Sequence, residues 1–230
     1  MRYRVKHRRR LGESSPRPLC FDLDGTLADS VEGIIFSLSH ALVACGIETP
    51  PVEWRRFVGP PLQRMIAAAL PDVLDSQITD VVAAFRKHYA TTGLFRTVAF
   101  NGVREMLEAC EALGCPMYVI TNKPQPQAEA VLDHLGLSNC FRRVVGGDPS
   151  GRVTKAERAA ELAIQDGLVG GTFVGDGIDD LQAAARMGAE FLLAAWGYGV
   201  RGVLEVCPEV KRLERPPLLS ALIGQDSGDP

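Results

Sequence analysis

Five short apolar runs recur along this chain, and segments with helical spacing separate the later ones. The runs are PLCFDLD (18–24), CPMYVIT (115–121), FRRVVG (141–146), GTFVGD (171–176) and AEFLLAAW (189–196). Their shortness and near-continuous apolarity predict strands buried on both faces. GVREMLEACEALG (102–114) carries apolar residues at 103, 106, 107, 110 and 113, which is helical spacing. PQAEAVLDHLG (126–136) puts Ala130, Val131 and Leu135 on one predicted face and ends in Gly136, a common residue just past a helix. KAERAAELAIQDG (155–167) and DDLQAAARMGA (179–189) read the same way. Strand–helix alternation of this kind predicts an α/β fold, a parallel sheet covered by helices on both faces.

Residues 30–97 break the alternation. They hold no buried-strand run and read as helices in SVEGIIFSLSHALVACG, PVEWRRFVG, PLQRMIAAAL and QITDVVAAFRKHYATTG. A helical unit inserted after the first strand is the expectation. The predicted organisation is a basic leader over 1–17, a core over 18–29 and 98–220, the helical unit over 30–97, and a flexible tail over 221–230.

Composition narrows the class. With 46% hydrophobic and 23% charged residues among 230, the chain reads as globular. No apolar run approaches the ~20 residues that span a bilayer, so no membrane partner is expected. The basic N-terminus MRYRVKHRRR is not followed by the apolar stretch of a secretory signal. Six cysteines at 20, 45, 110, 115, 140 and 207 form no CxxC pair, which argues for reduced thiols and a cytoplasmic location over disulfides or zinc. Charge is uneven. Residues 1–18 carry seven basic residues against Glu13, leaving 18 basic and 27 acidic residues elsewhere. Such an arm can bind nucleic acid; the expectation here is a disordered leader or a misassigned start, with no nucleic-acid partner.

In an open parallel sheet, ligands bind outside the carboxyl ends of the strands. Asp22, Asp24, Gly25 and Thr26 follow the first predicted strand, Thr121, Asn122 and Lys123 the second, and Asp176, Asp179 and Asp180 the fourth. Asp22 and Asp24, two apart, would share one side of a strand. Like charges at that range call for a cation or a retained proton, unless the pair is solvated and without function. Oxygen-only ligands suit Mg2+. A calcium EF-hand needs Glu at the twelfth loop position, where this chain has Gly33. Lys155, one of five lysines, opens a predicted helix, where it and the free N–H groups could balance a phosphoryl group.

DLDGT (22–26), Thr121 in TNKP, Lys155 in VTKAE and GDGIDD (175–180) occur in one order. On these motifs the chain resembles the haloacid-dehalogenase-like (HAD) phosphohydrolases over about residues 18–220, and within them the phosphoglycolate-phosphatase-like group. The resemblance implies a three-layer Rossmann-like core with residues 30–97 as a small helical cap. It implies Asp22 as nucleophile forming an aspartyl phosphate, and Asp24 as general acid and base. It implies Mg2+ held by Asp22, the backbone carbonyl of Asp24 and Asp176, with Asp180 supporting a metal-bound water or Lys155 from behind. Thr121, Asn122 and Lys155 would bind phosphoryl oxygens. The partner would be a small phosphorylated metabolite and the enzyme a monomer or homodimer. A 5'-nucleotidase, a pyrophosphatase and a phosphosugar mutase of the beta-phosphoglucomutase kind stay open as alternatives.

Three positions depart from the pattern: Ala156 follows Lys155 where proline is frequent, Asn101 stands where proline is frequent, and Gly177 replaces a common serine. A two-component receiver domain also phosphorylates an aspartate, but its acids are adjacent and its acceptor lies on a later strand. FVGPPLQRM (57–65) is the expected substrate-facing loop, because Gly59 and the prolines from Pro60 fix an irregular turn. Arg64 there either meets a second anionic group of the substrate or is an ordinary exposed residue. His40, His88, Trp54 and Tyr89 read as packing or surface residues.

Overall fold

The computed structural model describes residues 16–226 except 49, 149–151 and 169. The predicted leader, residues 16 and 17 apart, and residues 227–230 of the predicted tail lie outside the described residues. The chain enters at β1 (Leu19–Phe21) and leaves the core through β2 (Ala28–Asp29). It then forms α1 (Val31–Ala44), α2 (Leu62–Ala69) and α3 (Asp75–Thr91), and returns through β3 (Val98–Ala99). β2 and β3 pair antiparallel, so a two-stranded neck joins the helical unit to the core. After it come α4 (Val103–Ala112), β4 (Met117–Pro124), α5 (Gln125–His134) and β5 (Arg143–Gly147). α6 (Lys155–Asp166), β6 (Thr172–Gly175), α7 (Ile178–Met187), β7 (Glu190–Ala194), α8 (Val200–Val206), β8 (Arg212–Leu213) and α9 (Leu218–Asp226) complete the order.

Among the described residues six strands make one sheet in the order β5-β4-β1-β6-β7-β8, every pair parallel. Side chains alternate between its faces. Leu19, Phe21, Met117, Val119, Val174 and Leu192 pack with α4, α5 and α9 through Val103, Met106, Leu107, Val131, Leu132 and Leu219. Cys20, Tyr118, Ile120, Phe173, Phe191 and Leu193 pack on the other face with α6, α7 and α8 through Leu162, Ala183, Ala184 and Val203. Both faces are covered, which is why the strand segments read as unbroken apolar runs. Phe21 is fully buried against this core; truncating such a side chain to alanine costs about 3–5 kcal/mol.

Several details differ from the sequence pattern. On α5 the buried residues are Ala128, Val131 and Leu132, while Ala130 and Leu135 are half-buried. The helix meets the sheet along the 128–131–132 stripe, one step from the predicted one. β4 continues to Pro124, three residues past the predicted strand. β8 is two residues long and carries no apolar run, so nothing in its pattern announces it. α9 reaches Asp226, across residues assigned to a tail, and buries Leu219 in the core. Between β2 and β3 no described residue is in a strand. α1 and α3 pack there through Ile34, Leu38, Leu42, Ile78, Val82 and Phe85. Among the described residues no helix is long and apolar enough to cross a membrane.

Candidate active site

The site forms at the carboxyl ends of β1, β4 and β6. β1 stops at Phe21, and the N–H of Asp22 still donates to Val174 O at 3.0 Å. The chain then turns at Gly25, whose φ is +88°. A Cβ there would lie 2.5 Å from Asp176 Oδ2, so only glycine fits both the backbone and the carboxylate beside it. β1 ends before both Asp22 and Asp24, so the strand spacing does not by itself place their side chains. Leu23 between them is fully buried, and their carboxylates take different partners. Asp22 Oδ1 accepts from Lys155 Nζ at 2.5 Å. Both Asp24 oxygens accept from Lys123 Nζ at 2.9 Å, and Oδ1 also accepts from Ser30 Oγ at 2.6 Å. Asp22 and Asp24 line one cavity all the same.

Asp176 directly follows β6, and Asp180 lies in the first turn of α7. Oxygens of Asp22, Asp176 and Asp180 lie within 4.8 Å of one another, and all three residues are buried. Asp176 Oδ2 accepts from the N–H groups of Tyr198 and Gly199, each at 2.8 Å. Its Oδ1 accepts from Thr26 Oγ1 at 3.3 Å. Asp180 Oδ2 accepts from the N–H groups of Asp176 at 3.0 Å and Gly177 at 2.9 Å, which closes the first turn of α7. Its other oxygen accepts from Lys155 Nζ. Lys155 is the first residue of α6, and the capping box of Thr154 and Glu157 sets where that helix begins.

The electrostatics follow from this crowding. Burial, and secondarily the charges of Asp180 and Asp24, push Asp22 up to about 7 despite Lys155. Burial and the charge of Asp22 push Asp176 up to about 6 against the N–H groups it accepts from. Burial raises Asp180 as well, against the pull of Lys155. Lys155 behaves oppositely: burial opposes its charge, but Asp180 and Asp22 outweigh it and hold the ammonium above the usual lysine range. Three buried carboxylates around one ammonium keep excess negative charge among oxygen donors. A divalent cation fits that donor set.

Thr121 and Lys123 are both buried at the end of β4, with Asn122 half-buried between them. Thr121, Asn122, Lys123, Lys155, Gly59, Pro60 and Arg64 all line the cavity holding Asp22 and Asp24. Gly59, Pro60 and Arg64 are exposed on its helical wall. The amide of Asn122 is held on both sides: Nδ2 donates to Asp179 at 2.7 Å, and Oδ1 accepts from Arg158 Nη2 at 3.1 Å.

Lys123 was named at a strand end from the sequence but given no role, and Arg158, Ser30 and Tyr198 escaped the sequence reading. Lys123 stands two positions from Thr121 on a buried strand end, a spacing that points both side chains one way. Arg158 is one turn along from Lys155, and its Nη1 donates to Thr121 O at 2.8 Å and Gly146 O at 2.6 Å. Ser30 and Tyr198 had weaker signals. Tyr198 follows the end of β7, the same sheet edge that carries the acids.

Residues 19–194 match the haloacid dehalogenase-like hydrolase family. A 5'-nucleotidase from Pseudomonas aeruginosa is 32% identical over 185 residues, covering 79% of this chain and 83% of that protein. A phosphoglycolate phosphatase from Aquifex aeolicus is 30% identical over 188 residues, covering 79% of this chain and 86% of that protein. The solved structure of the Mycobacterium tuberculosis protein tyrosine kinase A (PtkA) superposes with a TM-score of 0.79 at 28% identity. That alignment covers 91% of this chain and 99% of the other.

Proposed function

The chain belongs to the haloacid dehalogenase-like hydrolases as a phosphatase of that family, and on that premise we propose that it hydrolyses a small phosphate monoester with Mg2+ as cofactor. The observation that carries this reading is the triangle of Asp22, Asp176 and Asp180, with Lys155 bonded to Asp22 and Asp180, and with Asp22 and Lys155 lining one cavity beside Asp24 and Thr121. Asp22, the backbone carbonyl of Asp24 and Asp176 would hold Mg2+. The ion would supply positive charge against the phosphoryl oxygens.

In this reading Asp22 attacks phosphorus, and the bond from phosphorus to the ester oxygen breaks. Asp24 gives that leaving oxygen its proton. Asp24 then takes a proton from water, which attacks the aspartyl phosphate and frees Asp22 and inorganic phosphate. Lys123 and Ser30 fix the direction of the Asp24 carboxylate, so the acid arrives oriented. Thr121 Oγ1, Asn122 and Lys155 Nζ bind phosphoryl oxygens, and Asp180 holds Lys155 in place. Residues 30–97 act as the cap, and Gly59, Pro60 and Arg64 meet the part of the substrate beyond the phosphoryl group.

The test is release of phosphate from an aryl phosphate ester. Wild type is expected to need Mg2+, and Asp22→Asn to lose about a thousandfold or more in kcat. Full activity in that variant overturns the reading. A screen over small phosphoacids, sugar phosphates, nucleotides and pyrophosphate then finds the substrate class. Isomerised sugar phosphate in place of free phosphate would make the enzyme a mutase. The likeness to PtkA supports a second reading, in which a protein tyrosine replaces water as acceptor; label from the phosphoryl donor would then appear on protein.

A further inference from the structure

Tyr198 touches the acid cluster and the neck of the cap at once. Its N–H donates to Asp176 Oδ2 at 2.8 Å, beside the same bond from Gly199. Its hydroxyl donates to Asp29 Oδ1 at 2.5 Å, in neck strand β2. The same hydroxyl accepts from the N–H of Ser30 at 3.0 Å and of Val31 at 3.3 Å, where α1 begins. Those N–H groups have no partner inside the helix, and no side chain caps α1 at Ser30. Tyr198 supplies the missing acceptor from 168 residues away in the chain. Its ring completes the neck, standing 6.1 Å from the ring of Phe100 just after β3, with the Arg55 guanidinium of the cap 5.2 Å from its centre.

Close packing holds this loop against the acid. A Cβ at Gly197 would lie 2.1 Å from Asp176 Cβ, so the chain runs directly over that residue. In the same loop Trp196 Nε1 donates to Thr26 O at 3.0 Å. Ser30 extends the contact to the second catalytic acid, since its Oγ donates to Asp24 Oδ1 at 2.6 Å while its N–H is on Tyr198.

We propose that Tyr198 is a positioning residue that couples Asp176 to the cap neck, so that a cation bound at the acids stiffens the segment where α1 leaves the core. This rests on the Mg2+ reading above and adds a route from the cation to the cap. The route is short. A cation on Asp176 offsets its repulsion with Asp22 and fixes its carboxylate. The fixed carboxylate holds the Tyr198 N–H, and the ring carries that restraint to Asp29, Ser30 and Val31. A conformational link of this kind needs a differential effect at both ends.

Amide hydrogen exchange with and without Mg2+, beside calorimetry of Mg2+ binding to the full chain, tests the coupling. In wild type, Mg2+ is expected to slow exchange in residues 28–34 by about fivefold or more. Tyr198→Phe keeps the ring and the N–H but lacks the hydroxyl. It should bind Mg2+ within about threefold of wild type while the slowing drops below about twofold. Asp29→Ala, which takes away the hydroxyl's acceptor and leaves Tyr198 intact, should weaken the slowing too, and it decides the matter if Tyr198→Phe does not fold. Undiminished slowing in the folded variants overturns the proposal. Tight Mg2+ binding without slowed exchange in wild type overturns it alone, whereas absent binding overturns the cofactor reading with it.

Discussion

Lys155 Nζ lies 2.5 Å from Asp22 Oδ1 and also donates to Asp180, so one ammonium ties the end of β1 to the first turn of α7. Removing it leaves the buried Asp22 and Asp180 carboxylates without the ammonium between them, and breaking a buried pair costs about 3–5 kcal/mol. Lys155→Met is therefore expected to lose about that much unfolding free energy in chelator, and clearly less in saturating Mg2+. Urea denaturation under both conditions measures the difference. Turnover should fall about a thousandfold in Mg2+. A stability loss that Mg2+ does not reduce would remove the case for a cation among these acids.

Lys123 holds both oxygens of Asp24 and lies 4.7 Å from the centre of the Tyr89 ring, on the cap side of the site. Burial opposes its charge, but Asp24 outweighs that and keeps the ammonium above the usual lysine range. Lys123→Met should leave substrate binding nearly intact and cost about a hundredfold in kcat, because Asp24 loses its orientation. Steady-state kinetics on the aryl ester reads the split. Unchanged kcat would take Lys123 out of the chemistry.

Thr154 accepts from the N–H of Glu157 at 3.2 Å, and Glu157 accepts from the N–H and hydroxyl of Thr154 at 2.7 and 2.8 Å. Lys155 is the next residue, so this box sets where the Lys155 side chain starts. Thr154→Ala is expected to cost about 1 kcal/mol, or about 2–4 °C in Tm for a chain of this size. It should also raise KM for phosphate esters. A thermal melt and a KM measurement check both parts.

His88 supplies a pH dependence away from the acids. Its Nδ1 is 3.1 Å from Ser37 Oγ, and its ring stacks on His40 with centres 4.0 Å apart. Burial, then the charges of His40 and Arg96, hold its pKa below the usual histidine value. The folded state then binds fewer protons here than the unfolded one near and below pH 6.5. The contribution is full above that pH and is lost as pH falls through the lowered folded value. His88→Gln should flatten the stability profile between about pH 5 and 7, which urea denaturation across that range reads. An unchanged profile would mean that His88 titrates alike in both states.

Most of the sheet was legible because burial on both faces leaves a local trace. Leu19 to Phe21 and Phe173 to Val174 are apolar at every step, as strands under two helical layers must be. The shift of the α5 stripe to Ala128, Val131 and Leu132 was not legible. Small apolar residues nearby offer several stripes of similar quality, and the strand beneath selects one. β8 escaped for another reason: Arg212 and Leu213 are placed by the edge of β7 and not by a pattern of their own.

The acids of the site could be named from the chain alone. Asp22, Asp24, Asp176 and Asp180 each follow a buried strand, and strand ends on one edge of a parallel sheet must come together. The division of labour among them could not. Asp22 takes Lys155 and Asp24 takes Lys123, because β1 lies between β4 and β6 in the sheet and the chain turns at Gly25. Lys123 and Asp24 are 99 residues apart, and Tyr198 and Asp29 are 169 apart. Local periodicity records which face of an element is buried. It carries no record of which elements are neighbours, and here neighbourhood decided which cation meets which acid and how the cap neck is held.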